Sequence, residues 1–236
     1  MASYQYVYVM KDLTKAFPGG REVFKGITLS FLPGVKIGVL GVNGAGKSSL
    51  LRCLAGVQEP TTGTVEPGIN VALGYFAQEH EQVDLTVTVL DNIDDRILTT
   101  ESERRALLGS FGLVGDVAHQ MPRTLSGGER AKLGLAMLAA GQANLLILDE
   151  PTNNLDPSSI EAVGQMLAEW PGTVVVVSHD RVFLDRTVID VLALDGEGGT
   201  RQVVGGIAGW LQQRGKQSTN QSSEWTFSSA QIFLAI

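Results

Sequence analysis

Gly41-Val42-Asn43-Gly44-Ala45-Gly46-Lys47-Ser48 is the stretch of sequence that decides the fold. A glycine, four residues of any type and then Gly-Lys-Ser are typical of a loop whose backbone amides surround a phosphate chain. The apolar residues Val35 to Leu40 predict a strand before the loop, and Ser49 to Ala55 predict a helix after it. The N-terminus of that helix adds partial positive charge to the loop. We therefore expect Lys47 to reach the terminal phosphates and Ser48 to hold Mg²⁺.

Composition describes an ordinary globular chain with no strong electrostatic bias toward nucleic acid. The 236 residues are 44% hydrophobic and 18% charged, with a net charge of -7. That charge argues against a surface that grips nucleic acid by bulk electrostatics, although a local basic patch stays open. The single cysteine, Cys53, is expected to be a packing residue. Neither a signal peptide nor an apolar run of about 20 residues is recognisable, so a cytoplasmic location is predicted.

The N-terminal third has the alternating pattern of an antiparallel sheet. Tyr4 to Met10 and Val23 to Leu32 predict strands, and the turn at 18–20 follows the short segment Leu13 to Phe17. Phe17 is either an aromatic that stacks on a nucleotide base or a core residue. Turn residues then flank a short strand within Glu59 to Gly68, and another strand is predicted from Val71 to Phe76.

A mostly helical insert is predicted in the middle of the chain, at about residues 79–124. Thr86 to Ile93 and Glu101 to Leu108 have helical spacing of apolar residues. The helix Arg130 to Ala140 follows, with Ser126 as its N-cap and Glu129 completing a capping box.

Strands and helices alternate again in the remainder of the chain. Apolar strands are predicted at Asn144 to Leu148 and Thr173 to Val177, with a helix from Ser158 to Trp170 between them, closing strands at Val188 to Leu194 and Arg201 to Val204, and a short helix at Ile207 to Gln213. We expect residues 1–214 to form one domain around the phosphate loop, with a helical insert at about 79–140, and residues 215–236 to form a flexible tail. The fold class predicted is α/β: a mostly parallel P-loop NTPase sheet with flanking helices, an antiparallel β subdomain and a small helical subdomain.

Charged and polar residues follow the buried strands at the edge where open α/β sheets bind ligands. Asp149 is placed to hold Mg²⁺ through water, and Glu150 to polarise an attacking water. His179 is a candidate contact for a terminal phosphate, and Gln78 could sense the metal and the water. Each of these residues alone could have a purely structural role. Their common position after a phosphate loop favours the functional interpretation.

Taken together with a further motif, these residues make the sequence resemble the ABC-type ATPases. Leu125-Ser126-Gly127-Gly128-Glu129 looks like their signature motif, and the other motifs occur in the order of the family, over roughly Tyr6 to Leu211. By this resemblance Phe17 is the aromatic that stacks on adenine, Asp156 the D-loop aspartate and His179 the switch histidine. The residues and the resemblance together predict ATP and Mg²⁺ as cofactors. The predicted catalytic residues are Glu150, His179 and Gln78; the metal contacts are Ser48, Gln78 and Asp149; the nucleotide contacts are Phe17, Gly41, Asn43, Gly44, Ala45, Gly46, Lys47, Ser48, Ser49, Ser126, Gly127, Gly128 and Asp156.

Within the family, the chain is most similar to one nucleotide-binding domain of the ABC-F translation factors. The loop Glu150 to Asp156, the residue Glu129 and the segment Val177 to Asp185 all point that way. One departure is Asn154, where ABC-F proteins usually have histidine. Another is the single set of motifs, because ABC-F proteins carry two ATPase domains joined by a charged helical linker. The sequence thus resembles one isolated, truncated or recombined ATPase domain.

The signature motif implies a partner. In the family it binds the γ-phosphate held by the phosphate loop of another domain, so we expect an ATP-dependent homodimer or pairing with another ABC domain. The leading hypothesis is an ABC-F-like ATPase linked to the ribosome. The rivals are the nucleotide-binding subunit of a membrane transporter, with a transmembrane partner, and an isolated non-catalytic ATP-binding module. The net charge of -7 favours this last alternative over autonomous ribosome binding.

Overall fold

A computed structural model describes residues 6–19, 21–77 and 82–210 and the pair Ile232–Phe233. Two sheets and their helices make up this part of the chain. The strands are β1 (Tyr8–Phe17), β2 (Arg21–Phe31), β3 (Lys36–Gly41), β4 (Thr62–Pro67), β5 (Leu73–Phe76), β6 (Leu145–Asp149), β7 (Thr173–Val177), β8 (Asp190–Leu194), β9 (Thr200–Val204) and β10 (Ile232–Phe233). The helices are α1 (Lys47–Leu54), α2 (Glu101–Ser110), α3 (Gly127–Ala140), α4 (Pro157–Glu169) and α5 (Arg181–Thr187), with 3₁₀ turns at Leu90–Asn92, Gly115–His119 and Pro122–Thr124.

The larger sheet confirms the predicted, mostly parallel core. Its strand order is β5-β6-β7-β3-β8-β9, and only the last pair is antiparallel. Every residue of β6 and of β7 is buried, which explains why both strands are almost continuously apolar. The carboxyl ends of β3, β6 and β7 lie side by side, and the phosphate loop, Asp149-Glu150 and Ser178-His179 follow those ends.

The smaller sheet has the order β10-β2-β1-β4. Its β1 and β2 form an antiparallel hairpin, whereas Ile232 and Phe233 run parallel to β2 beside Leu29 and Ser30. The sequence predicted two segments, Tyr4 to Met10 and Leu13 to Phe17, where the structure has the single strand β1. A register shift between Met10 and Leu13 accommodates Asp12, whose φ is 48°, so the strand continues past it.

Two hydrophobic clusters cover the two faces of the parallel sheet. One includes Leu50 and Leu51 of α1 and the inner face of the smaller sheet, and it also contains Cys53 as a buried packing residue. The other joins α3, α4 and α5 to the opposite face. Helix α1 and the loop before it are therefore held between two layers of strands, which fixes the phosphate loop on a rigid base.

The helical region is confirmed in part. Helix α2 has a capping box between Thr100 and Glu103, and α3 has the predicted one between Ser126 and Glu129. The helix predicted at Thr86 to Ile93 is wrong, because this segment consists of turns and one 3₁₀ turn. Asn92 donates side-chain bonds to the carbonyls of Asp84 and Thr88, and such local bonds compete with the helical ladder.

In the C-terminal part, α4, β7, β8 and β9 match the predicted types within a few residues, whereas the helix α5 was not predicted. Residues 206–210 form a helical turn where the short helix was expected. Most of the predicted tail, 215–231 and 234–236, lies outside the described residues, so the division at residue 214 stays a prediction.

Candidate nucleotide site

The phosphate loop leads directly into the N-terminus of α1. Gly46 is the N-cap of this helix, with a φ of 90° and no side-chain capping bond. A side chain at Gly46 would be strained at that φ, and its Cβ would lie 3.0 Å from Cβ of Val23. The N-terminus of α1 therefore keeps the open amides and positive dipole end that favour an anion.

Lys47 folds back over the loop. Its Nζ donates to the carbonyl oxygens of Gly41 at 2.8 Å and Val42 at 3.2 Å. Burial lowers the pKa of this lysine, while the nearby carboxylates of Glu150 and Asp149 act in the opposite direction. An ammonium held between backbone carbonyls and carboxylates is ready to exchange the carbonyls for phosphate oxygens.

Asp149 lies fully buried at the end of β6 and faces the loop. Its Oδ1 accepts a hydrogen bond of 3.1 Å from Oγ of Ser48, whereas its buried Oδ2 has no hydrogen-bond partner among the described residues. Burial raises the pKa of Asp149, and the Ser48 bond opposes that rise. A hydroxyl and a partly unsatisfied carboxylate beside a phosphate loop are the oxygen donors that Mg²⁺ takes together with phosphates.

Glu150 directly follows β6 and has a left-handed backbone conformation. Its φ is 53°, an uncommon value for glutamate, and its N–H donates to the carbonyl of Val177 at 2.9 Å. The backbone N–H of His179 donates to Oε2 of Glu150 at 3.1 Å. His179 Nε2 lies 3.2 Å from Oε1 without the alignment of a hydrogen bond. Burial raises the pKa of Glu150, and His179 opposes the rise. A carboxylate with a raised pKa is a better base near neutral pH.

A cavity of about 410 Å³ lies beside Lys47 and His179. It extends from the carboxyl ends of β3 and β8 to the helical turn at residues 206–210, and its lining includes Arg181 and Arg201. Both arginines are exposed, and Asp195 also lines the cavity, so side chains of both charges border it.

The signature motif is the N-terminus of α3. Within its capping box, Ser126 Oγ donates to Oε2 of Glu129 at 2.7 Å and accepts from the Glu129 N–H at 3.2 Å. A Cβ on Gly128 would lie 2.5 Å from the carbonyl oxygen of Asn154, so only glycine fits there. In the part of the chain that the structure describes, no hydrogen bond joins Ser126 to Lys47, Ser48, Asp149 or Glu150.

Asp156 has several partners within its own chain. It is the N-cap of α4, accepting bonds from the N–H and Oγ of Ser159 and from Oγ of Ser158, and its Oδ2 lies 2.7 Å from Nζ of Lys132. These bonds hold the pKa of Asp156 well below its usual range, the bond from Lys132 most of all. Its assignment as a nucleotide contact stays a prediction, and the geometry gives it a role in joining α3 to α4.

The structure thus brings together Lys47, Ser48, Asp149, Glu150 and His179, five of the predicted site residues, at one sheet edge. Phe17 is 41% exposed at the end of β1, so it is not a core residue. Asn43 and Gly44 are exposed in the loop, whereas Ala45 and Ser49 are buried beneath it. Gln78 lies outside the described residues.

Two residues beside the predicted motifs were missed. Arg21 donates from its guanidinium to the carbonyl oxygen of Gly44 at 3.3 Å, and Lys132 forms the ion pair with Asp156. Lys132 follows Gly128 by four residues, and this spacing places both on one face of a helix. The position of Lys132 beside the signature motif could therefore have been predicted from the sequence. Arg21 follows a turn, and only the strand register shows where it reaches.

Comparison with known proteins identifies the family. A family model described as "ABC transporter" matches residues 24–153, just over half of the chain. The chain belongs to this family. Curated relatives include the energy-dependent translational throttle protein EttA of Escherichia coli strain K12, 34% identical over 93% of this chain and 47% of EttA. The putative ATP-binding protein YdiF of Bacillus subtilis is 39% identical over 78% of this chain and 29% of its own length. The ATP-binding protein Uup of Haemophilus influenzae is 35% identical over 88% of this chain and 33% of its own length.

These relatives confirm the predicted resemblance to the ABC-F subfamily. The chain spans less than half the length of each of them. Solved structures of the ATP-binding cassette MJ0796, one titled as a dimer in a post-hydrolysis state with ADP and Pi, match with a TM-score of 0.70 over 84% of this chain and 98% of that chain. At 22% identity this likeness shows the fold, which confirms the predicted fold class. Within the described residues of this ABC domain, no helix has the length and apolar character needed to cross a membrane.

Proposed function

We propose that this ABC domain binds ATP with Mg²⁺, pairs with a second ABC domain and hydrolyses ATP in the composite site. The observation that carries the proposal is the pair of buried carboxylates behind the phosphate loop. Asp149 Oδ2 and Glu150 Oε1 are both buried and have no hydrogen-bond partner among the described residues. The negative charges of both residues also favour the protonated, positively charged form of Lys47. A buried carboxylate oxygen without a hydrogen bond is costly unless something binds to it. His179 Nε2 lies 3.2 Å from Glu150 Oε1, whereas Asp149 Oδ2 has no such neighbour among the described residues.

The donor set fits Mg²⁺. Ser48 and Asp149 would hold the ion, which supplies charge neutralisation to the phosphate chain when bound. Lys47 would bind the terminal phosphates, and the amides at the start of α1 would bind the phosphates nearer the nucleoside. Glu150 is positioned by the His179 N–H and has a raised pKa, so it is suited to take a proton from the attacking water.

A second copy would complete the site. Ser126 and the amides at the N-terminus of α3 are suited to bind the γ-phosphate of a partner, as the signature motif does in the family that this chain resembles. In the single chain the hydroxyl and N–H of Ser126 are occupied by the Glu129 carboxylate, a negative group at the position proposed for phosphate. A phosphate would take over these donors when two domains close together.

The target we propose is the translation apparatus, with the ribosome as partner and the cytoplasm as location. The support is the identity of 34% to a protein named a translational throttle, extending over 93% of this chain. Co-sedimentation with ribosomes, with and without ATP, tests this part. Capture of a transmembrane partner from detergent extracts in place of ribosomes would favour the transporter-subunit alternative.

The test of the core proposal is the mass of the Glu150→Gln protein by light scattering at saturating ATP and Mg²⁺. This variant keeps the phosphate loop but lacks the proposed base, so we expect a dimer with ATP and a monomer with ADP. The double variant Glu150→Gln with Ser126→Ala should remain largely monomeric, while Glu150→Gln with Thr100→Ala should dimerise normally. A monomer under all these conditions contradicts the proposal and favours a non-catalytic module.

A further inference from the structure

Arg21 lies between the proposed base-stacking residue and the phosphate loop. It is the first residue of β2 and pairs directly with Phe17, the last residue of β1. Cross-strand partners project to the same side of a sheet, so both side chains leave the hairpin on one face. Lys15 Nζ lies over the Phe17 ring on this hairpin, 6.0 Å from the ring centroid. Both side chains are exposed. The tip of the hairpin thus presents an aromatic face and a cation to the same region of solvent.

The strand that carries Arg21 is packed against the loop. Two residues further along β2, on the same face, Val23 touches the loop at Gly46, where an added Cβ would meet it at 3.0 Å. Arg21 itself donates to the outward-facing carbonyl of Gly44 at 3.3 Å. Because the hairpin is packed against the loop, the fold sets the position of the start of β2 and keeps the guanidinium within reach of the loop.

In the described part of the chain, the guanidinium has no acidic partner. Among the residues that the structure describes, no carboxylate lies within 4.0 Å of Arg21, whereas Lys25 on the same strand pairs with Glu22 at 3.3 Å. An arginine held beside an anion-binding loop by one long bond to a neutral carbonyl is free to exchange that bond for a stronger, charge-assisted one.

We propose that Arg21 binds the α-phosphate of the nucleotide. This inference rests on the proposed ATP site. With the base on Phe17 and the terminal phosphates in the loop, the group that lies between them is the α-phosphate with its ribose. Arg21 is fixed at that intermediate position by its pairing with Phe17 and its contact with Gly44. A planar guanidinium binds phosphate oxygens in a bidentate way, which suits a group held at the edge of a loop.

The test is the nucleotide affinity of Arg21→Ala, Arg21→Lys and Lys25→Ala, measured by calorimetry with ADP and by competition with AMP and adenosine. We expect Arg21→Ala to bind ADP about tenfold more weakly. Arg21→Lys should recover part of the loss, because it keeps the charge without the fork. Lys25→Ala removes an exposed lysine of the same strand and should bind like the original protein.

The ratio of adenosine to AMP affinity separates phosphate binding from a merely structural role. Only AMP carries the α-phosphate, so Arg21→Ala should remove most of the advantage of AMP over adenosine. An unchanged ratio, or an ADP affinity equal to that of Lys25→Ala, overturns the inference while leaving the proposed function intact. If the original protein binds no ADP, and Lys47→Ala behaves identically, the proposed function itself fails and this inference with it.

Discussion

At the scale of single residues, burial of Glu150 favours its neutral form, whereas its proposed role as a base requires the ionised form. Its carboxyl group is buried, and burial raises its pKa above the usual 4.5. Folding therefore favours the protonated form of this carboxyl group more than the unfolded chain does. The stability that this group contributes is complete below pH 4.5 and is lost as the pH rises through the raised value.

Glu150→Gln should consequently stabilise the nucleotide-free protein at neutral pH, because glutamine avoids the cost of burying a charge. The gain in free energy of unfolding, relative to the original protein, should grow as the pH rises from about 4.5 and then level off. Urea unfolding between about pH 5 and pH 8, without Mg²⁺, measures it. Glu161→Gln, on an exposed position of α4, should show no such trend. A Glu150→Gln difference that is flat or falls with pH would refute the explanation.

Gly128 and Gly127 give a matched pair of substitutions at the start of α3. A Cβ on Gly128 would lie 2.5 Å from the carbonyl oxygen of Asn154, whereas one on Gly127 would meet nothing within 4 Å. Gly128→Ala should therefore destabilise the chain by about 1–3 kcal/mol through forced backbone shifts, and Gly127→Ala should be close to neutral. Thermal or urea unfolding compares them. Equal effects would mean that α3 is not held tightly against the 153–156 loop.

At the scale of elements, α2 and α3 begin with the same device. Thr100 with Glu103 and Ser126 with Glu129 form complete capping boxes. Either cap changed to alanine should cost about 1 kcal/mol of stability. Only Ser126→Ala should also lower the ATPase rate, because we assign Ser126 alone to a γ-phosphate. Unfolding and steady-state ATPase assays on both variants check this. Equal ATPase losses would show that the rate follows stability and that Ser126 has no phosphate role.

Elements with a strong local signal could be predicted from the sequence. The phosphate loop with its flanking strand and helix, the apolar strands β6 and β7, and the cap of α3 all follow from adjacent residues. The helix prediction for Thr86 to Ile93 failed although the apolar spacing is helical. The side chains of Asp84, Thr88 and Asn92 form hydrogen bonds that stabilise turns instead. The spacing of apolar residues gives no information about this competition between side-chain and helical hydrogen bonds.

At the scale of the whole molecule, the sequence could not give the pairing of distant elements. Asp149 and Glu150 were predicted because they end a strand, but the roles of Arg21 and Lys132 depend on hairpin register and on how α3 meets α4. The strand order, with β3 between β7 and β8, is likewise a property of the assembled sheet. That order places the ends of β3, β6 and β7 together and so forms the candidate nucleotide site.

The central claim is that one chain carries half of an active site and that two chains complete it. The most direct measurement is the steady-state ATPase rate as a function of protein concentration, at saturating ATP and Mg²⁺. If two copies form the site, the rate should rise with the square of the concentration while dimers are scarce, and become linear once dimers predominate. A rate that is linear down to the lowest measurable concentration, with Lys47→Ala inactive, would contradict the claim and mean that a single chain hydrolyses ATP alone.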